Sequence, residues 1–317
     1  MGALFGPGGN SLSFYESGKK STVEAPEWVK NFGLDCYEYQ AGKGIFGSDE
    51  TFKKIGEEAK RNNIRMSLHA PYYISLSGIE IEKRLKSVEY IQKSVMAAEL
   101  MNAELIVIHT GSASKISRNE AVELAKDTMY RALDAVGNTK VVLALETMGK
   151  INQLGTLDEV IDICSIDKKL CPVVDFGHLN ARNLGSYFLT VDDYRRVFDT
   201  IANKLGTKYA QTLHCHFSKI EYTNSGEKKH LTFDDTVFGP PFEPLMEAIV
   251  KENVSPYIIC ESDGTMAEDA LKMKKYYNSL IIRHIIYQTK MGKTIEKAVS
   301  IWYNFQRFLR KKAYYSG

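Results

Sequence analysis

The sequence predicts an α/β chain folded as a (β/α)8 barrel with an extra C-terminal helical segment. Three observations carry this expectation. Eight short β-rich runs alternate with segments of helical periodicity, no dinucleotide-type glycine turn follows the first run, and no strong linker divides the 317 residues. With 44% hydrophobic residues the chain can bury one large core, and residues 1–317 read as a single domain.

The predicted strands, in order, are Ala3 to Phe5, Leu34 to Tyr39, Ile64 to Leu68, Leu105 to Ile108, Val141 to Leu145, Pro172 to Val174, Thr212 to His216 and Tyr257 to Cys260. After the first, Gly6, Gly8 and Gly9 lack the G-x-G-x-x-G spacing and the following helix of an open nucleotide-binding sheet. Between the second and third, Phe52, Ile55 and Ala59 share a helical face. Ahead of the fourth, Leu85, Val88, Ile91, Val95 and Ala98 do the same. Ser117 with Glu120 reads as a capping box, and Thr156 with Glu159 and Thr190 or Val191 ahead of Asp192 and Asp193 mark two further helix starts. The stretch Thr223 to Lys229 reads as a long loop. From Ala267 to Tyr315 two helical stretches follow, the second carrying Trp302, Phe305 and Leu309, so that about 288–317 is an added extension.

Charge excludes one class of partner field. The 41 basic and 39 acidic side chains leave a formal charge of +2, so contact with nucleic acid has to come from local patches. The five cysteines lack C-x-x-C spacing; four lie in or beside apolar segments and read as small buried hydrophobes, and the odd count fits a reducing compartment. No leader pattern and no run of 18 apolar residues is present, which predicts a soluble, cytoplasmic chain with no membrane partner.

Chemistry gathers where predicted strands end. His69, His109, Glu146 and Asp175 each follow a run, His216 ends the seventh, and Glu261 follows the eighth. In a barrel the carboxyl ends of the strands converge on one mouth, so six distant side chains come within reach of shared ions. Imidazole with carboxylate suits zinc and other divalent metals, and buried carboxylates without cations would repel one another. In Val174-Asp-Phe-Gly-His178, the glycine is expected to permit a tight turn that aims Asp175 and His178 at neighbouring ions. His214 shares the parity of His216 and reads as an inner residue that orients a ligand. His230 lies beyond the long loop and has to fold back to complete a further site with His178, while Glu227, Asp234 and Asp235 are nearby carboxylates of open role. Tyr72, Tyr73 and Phe176 either fill the barrel mouth or meet substrate.

These motifs, in order, are His69-Ala-Pro-Tyr-Tyr-Ile-Ser-Leu-Ser77, Val107-Ile-His-Thr-Gly111, Leu145-Glu-Thr147, Val174-Asp-Phe-Gly-His178, His216-Phe-Ser-Lys219 and Glu261. Each is weak alone; together, across about residues 1–265, the sequence resembles the endonuclease IV family of apurinic/apyrimidinic endonucleases, within the xylose-isomerase-like TIM barrels. The resemblance implies zinc-dependent phosphodiester hydrolysis of double-stranded DNA, 5′ to abasic sites and at blocked 3′ ends, by a monomer. It implies a first metal on His69, His109 and Glu146, a second on Glu146, Asp175, His216 and Glu261, and a third on His178 and His230. Glu146 and Glu261 are the implied catalytic carboxylates, and Tyr72 and Lys219 the implied substrate contacts, with Lys228 and Lys229 as further phosphate partners.

Three departures stand out. The family's third-metal aspartate position holds Lys228 here, with Glu227 one residue too early, so two or three zinc ions are expected, with manganese or another divalent metal as the substitute. The opening strand lacks the family's histidine, and the loop from Gln40 to Gly44 is shorter and less aromatic. A metal-dependent sugar isomerase or epimerase on the same barrel is the alternative reading, and a non-catalytic nucleic-acid-binding module the third.

Overall fold

The computed structural model describes residues 2–290. Among them, eight parallel strands form one sheet: β1 (Leu4–Pro7), β2 (Cys36–Gln40), β3 (Arg65–His69), β4 (Leu105–His109), β5 (Val142–Glu146), β6 (Leu170–Asp175), β7 (His214–Phe217) and β10 (Tyr257–Cys260), whereas β8 (Lys219–Thr223) and β9 (Gly226–Leu231) stand apart as an antiparallel hairpin. The ring runs β1-β10-β7-β6-β5-β4-β3-β2. It closes where Gly8 lies beside Glu38, with the Gly9 N–H donating to the Glu38 carbonyl at 3.0 Å.

Sequential parallel strands require crossovers, and amphipathic helices supply them. These include α1 (Leu12–Glu16) and α2 (Ala25–Asn31) between β1 and β2, then α3 (Asp49–Asn62), α4 (Ile81–Leu100), α5 (Arg118–Val136), α6 (Leu157–Cys164), α8 (Val191–Leu205), the short α9 (Thr207–Gln211) and α10 (Glu243–Glu252), with α7 (Phe176–Arg182) inserted directly after β6. The predicted faces bury as expected in α3 (Phe52, Ile55 and Ala59), but on α4 Leu85 is exposed while Val88, Ile91, Val95 and Ala98 are buried. At the helix start predicted from Thr156 and Glu159, the two form a reciprocal cap. Ser117 accepts from the Glu120 N–H, a one-sided cap.

Alternation along the strands defines the barrel interior. On one side Val107, Ala144 and Val173 form a buried apolar layer, backed by Leu105 and Cys171. Two residues further along the same strands come His109, Glu146 and Asp175, whose pairings (His109 beside Glu146, Asp175 beside His216) set the polar ends level. All five cysteines are free and four are buried, with Cys171 intermediate.

Two expectations are corrected. Thr223 to Lys229 is the centre of the β8–β9 hairpin, whose second strand hides its period in the charged run Glu227 to His230, and not a loop. The turn that carries Asp175 and His178 is the start of α7, not a glycine-made loop turn, and Gly177 within it serves close packing: a Cβ there would meet the Ser218 carbonyl oxygen at 2.6 Å. The last described helix, α11 (Met266–Lys290), crosses the boundary between a unit of residues 1–274 and a second unit from 275 onward. The predicted helix around Trp302, Phe305 and Leu309, and the extension beyond residue 290, lie outside the described residues. No described helix is long and apolar enough to cross a membrane.

Candidate metal centre

Six of the seven histidines belong to the polar end of the barrel or its inner wall, and buried carboxylates lie between them. Glu146, at the end of β5, is fully buried and central. Its Oε2 lies 3.4 Å from His69 Nε2 and 3.2 Å from His109 Nε2, and its Oε1 lies 3.0 Å from His216 Nδ1. His69 is oriented by its other nitrogen, which is 2.8 Å from the Ala70 carbonyl oxygen, so Nε2 is the atom left for the cluster.

A second group shares Glu146. Potential ligand atoms of Glu146, Asp175, His216 and Glu261 all lie within 4.8 Å of one another. Asp175 divides its two oxygens: Oδ1 caps α7 by accepting the His178 N–H at 2.7 Å, while the buried Oδ2 has no hydrogen-bond partner. A buried, unpartnered carboxylate oxygen among other carboxylates is costly unless a cation completes it. Burial, with Glu261 and Glu146 alongside, raises the Asp175 pKa above its ordinary range.

The third group is His178, Glu227 and His230. His178 Nδ1 lies 3.0 Å from the Thr147 carbonyl oxygen, and Nε2 lies 3.5 Å from Glu227 Oε2; Glu227 Oε1 is 4.0 Å from His230 Nε2. Lys228 turns away, its Nζ 2.6 Å from Glu221 Oε1. The cause is a register shift in the hairpin: Glu221 pairs with Lys229, but Tyr222 pairs with Glu227, leaving Lys228 as the extra residue of a bulge. With one residue bulged out, the side chain three positions before His230 joins its face. Close approach to the loop after β5 fixes the hairpin, since Glu227 N–H donates to the Gly149 carbonyl at 3.0 Å and a Cβ on Gly149 would meet Glu227 Cβ at 2.6 Å.

Electrostatically the imidazoles act as counter-ions for the carboxylates. Burial disfavours the His69 cation, yet Glu146, Glu38 and Glu261 together outweigh burial and lift its pKa to about 9. His178 and His216 are raised too, against burial, by Asp175 and Glu227 for the former and by Glu261, Glu38 and Glu146 for the latter. His109 moves the other way because burial dominates. Burial raises the Glu261 pKa, but His216 outweighs it and brings Glu261 to about 2. Mixed nitrogen and oxygen donors converging with an unpartnered buried Asp175 oxygen fit divalent metal ions.

The expected substrate contacts lie outside these groups. Tyr72 is 61% exposed at the barrel mouth, where its N–H donates to the Gly42 carbonyl. Lys219 Nζ donates to the Phe233 carbonyl at 3.0 Å and to that of Asp235, so it braces the segment after β9. Phe176 is fully buried against Phe188 and Tyr194 and belongs to the core. An open cleft of about 550 Å³ runs over the mouth past Gln40, Glu227, His230 and Glu261. A separate cavity of about 380 Å³ at the other end of the strands has largely apolar walls including Met66, Leu105 and Leu213, and carries none of the three groups. Sequence reasoning missed Glu38, which is fully buried on β2 and touches both His214 and His216. Its signal was parity: Glu38 pairs with inward Ser67 and shares the phase of Gln40.

A profile of the xylose isomerase-like TIM barrel family matches residues 26–277. The chain belongs to that family. An uncharacterised protein of Methanocaldococcus jannaschii is 30% identical over 87% of this chain and 97% of its own length. The likeness to endonuclease IV read from the motifs recurs: a probable endonuclease 4 of Acholeplasma laidlawii is 32% identical over 51% of this chain, which spans 55% of that relative. Two solved barrels share the fold. A D-tagatose 3-epimerase-like protein superposes with TM-score 0.65 at 18% identity, covering 84% of this chain and 96% of its own. Endonuclease IV from Thermus thermophilus gives 0.63 at 17% identity with the same coverages, 84% and 96%.

Proposed function

We propose that this chain is a divalent-metal-dependent phosphodiester hydrolase that cuts double-stranded DNA 5′ to abasic sites and clears blocked 3′ ends. The observation that carries the reading is the third group, His178, Glu227 and His230, next to two groups joined through Glu146. Three adjoining sites suit a phosphate whose attacking, leaving and non-bridging oxygens all need stabilisation, whereas shifting a proton between sugar carbons does not call for so many. Kinship with probable endonuclease 4 sequences supports the same choice.

On this reading His69, His109 and Glu146 hold one zinc ion, Glu146, Asp175, His216 and Glu261 a second, and His178, Glu227 and His230 a third, with manganese as a functional substitute. Bound ions would supply Lewis acidity toward phosphate oxygens and lower the pKa of coordinated water. Glu146 joins two sites, and Glu261, at the edge of the cleft, is placed to hold a proton of the attacking water. Tyr72 projects from the rim and fills the space beside an extruded abasic sugar, which flips at little cost because it has no base to unstack. Lys219 retains one N–H beyond its two carbonyl contacts for a phosphate oxygen. Four buried cysteines, none in a disulfide, favour a cytoplasmic setting, and we read the working unit as a monomer.

The test is incubation with an abasic duplex, an intact duplex and a panel of ketoses and aldoses, each before and after chelation. Incision next to the abasic site that chelator abolishes and zinc restores is the expected result. Sugar interconversion with no strand cleavage at any metal loading would replace this reading with the epimerase one.

A further inference from the structure

The middle layer of the barrel is apolar on the side of β4 to β6 but polar on the side of β2, β3 and β7, where Glu38, Ser67 and His214 are all buried. Branched apolar residues usually fill such layers, and a buried carboxylate there is costly unless it is tightly held. Glu38 is held on every side. Its Oε2 accepts from Ser67 Oγ at 2.8 Å and lies 2.9 Å from His214 Nε2, while Gln40 Nε2, at 3.4 Å, links its Oε1 to Glu261 Oε1, also at 3.4 Å. The remaining approach is to His216: Glu38 Oε1 lies 3.0 Å from Nε2, off the N–H axis, so that Nε2 has no aligned acceptor. His216 thus spans the wall of the barrel, with Glu38 at one nitrogen and Glu146 and Glu261 at 3.0 and 3.4 Å from the other.

We infer that Glu38, supported by Ser67 and His214, is the positioning residue that fixes the ring and tautomer of His216, keeping hydrogen on Nε2 and Nδ1 free to face the cluster. The inference rests on the strand-end groups being a metal centre. A carboxylate behind a ligating imidazole fixes its tautomer and orientation and raises its basicity, and loss of such a partner typically weakens metal binding about 10- to 100-fold. Ser67 donates to Glu38, and His214 touches both Glu38 and the edge of the His216 ring, which accounts for two further polar residues in a layer that packing alone would make apolar. Nearness of Glu38, His214 and His216 also allows an ion of their own, and the experiment separates that case.

The full-length protein and the variants Glu38→Gln and Glu38→Leu are stripped of metal, checked for fold by circular dichroism, and titrated with Co²⁺. Ion count, visible spectrum and rate of Co²⁺ release to chelator are read. The expected result is an unchanged count, a shifted ligand-field spectrum and release faster by about 10- to 100-fold in the leucine variant, with glutamine intermediate because it keeps an acceptor. A count lower by one ion with the other ions released as before makes Glu38 a ligand of a separate site and overturns the inference. Unchanged spectra and release rates in both variants overturn it as well. Failure of the wild-type protein to take up Co²⁺ sinks the metal-centre reading itself. Long-range ¹H–¹⁵N spectra of the zinc-loaded wild-type protein need no variant to fold: hydrogen on His216 Nε2 supports the inference, and hydrogen on Nδ1 refutes it.

Discussion

Asp175 shows how one residue serves fold and site together. One oxygen caps α7; the other is buried without a hydrogen bond, 3.4 Å from His178 Nδ1. Asparagine caps helices about as well as aspartate, so Asp175→Asn should leave the melting temperature of the metal-free protein within the equivalent of about 1 kcal/mol. It also removes a charge that burial and the neighbouring carboxylates disfavour. Metal-dependent cleavage, by contrast, should fall roughly 100-fold or more, since a ligand is worth at least as much as its supporting partners. Melting curves and single-turnover rates check this, and a large loss of apo stability with intact cleavage would make Asp175 a cap alone. Glu227 and Lys228 give a second contrast. Glu227→Gln should lower metal content by the third ion, and Lys228→Asp should not raise it, because the residue at 228 is turned toward Glu221. Elemental analysis after gel filtration decides between them.

At the scale of elements, capping makes a pH prediction. The Glu159 carboxylate at the start of α6 accepts the Gly155 and Thr156 N–H groups at 2.9 and 3.0 Å and Arg118 Nη2 at 2.7 Å. Burial alone would raise its pKa, but Arg118 and the two backbone donors bring it to about 2. A folded-state pKa below the unfolded value contributes stability above the ordinary glutamate range of about 4.3, and that contribution is lost as pH falls toward 2. Denaturant midpoints of wild type and Glu159→Gln should therefore converge between those limits and stay apart at neutral pH. The strands were legible because polar residues stand at the ends of apolar runs. The hairpin was not: Glu227 to His230 is a continuous charged and polar run with no apolar alternation, and the hairpin's position depends on contacts with Gly149 that sequence spacing does not encode. For the same reason Glu227 read as one residue out of place until the bulge at Lys228 restored its phase. Glu38 was hidden differently, since a lone glutamate between tyrosines looks like an ordinary solvent-facing strand position and its meaning depends on barrel closure.

For the whole molecule, the decisive balance is between charge and ions. The chain carries nearly equal numbers of acidic and basic residues, 39 and 41, so its affinity for DNA without a lesion should be modest and fall steeply with salt. Its cleft, however, concentrates carboxylates that only protons or metals can neutralise. In the metal-free protein His69 keeps its proton up to about pH 9, so loading with zinc near neutral pH has to release protons. Calorimetric titrations in buffers of differing ionisation enthalpy should report that release. The same ions bind the folded chain and find no preformed site in the unfolded one. A single ion at about a thousandfold excess over its Kd adds about 4 kcal/mol to stability. For a domain this large each kilocalorie moves the Tm by about 2–4 °C, so zinc should raise the melting temperature of the stripped protein by roughly 10 °C or more. Chelation should reverse the shift and abolish cleavage together. If melting is indifferent to zinc while cleavage still depends on it, the ions bind weakly at the surface of the cleft, and the buried carboxylates are neutralised by their histidines alone.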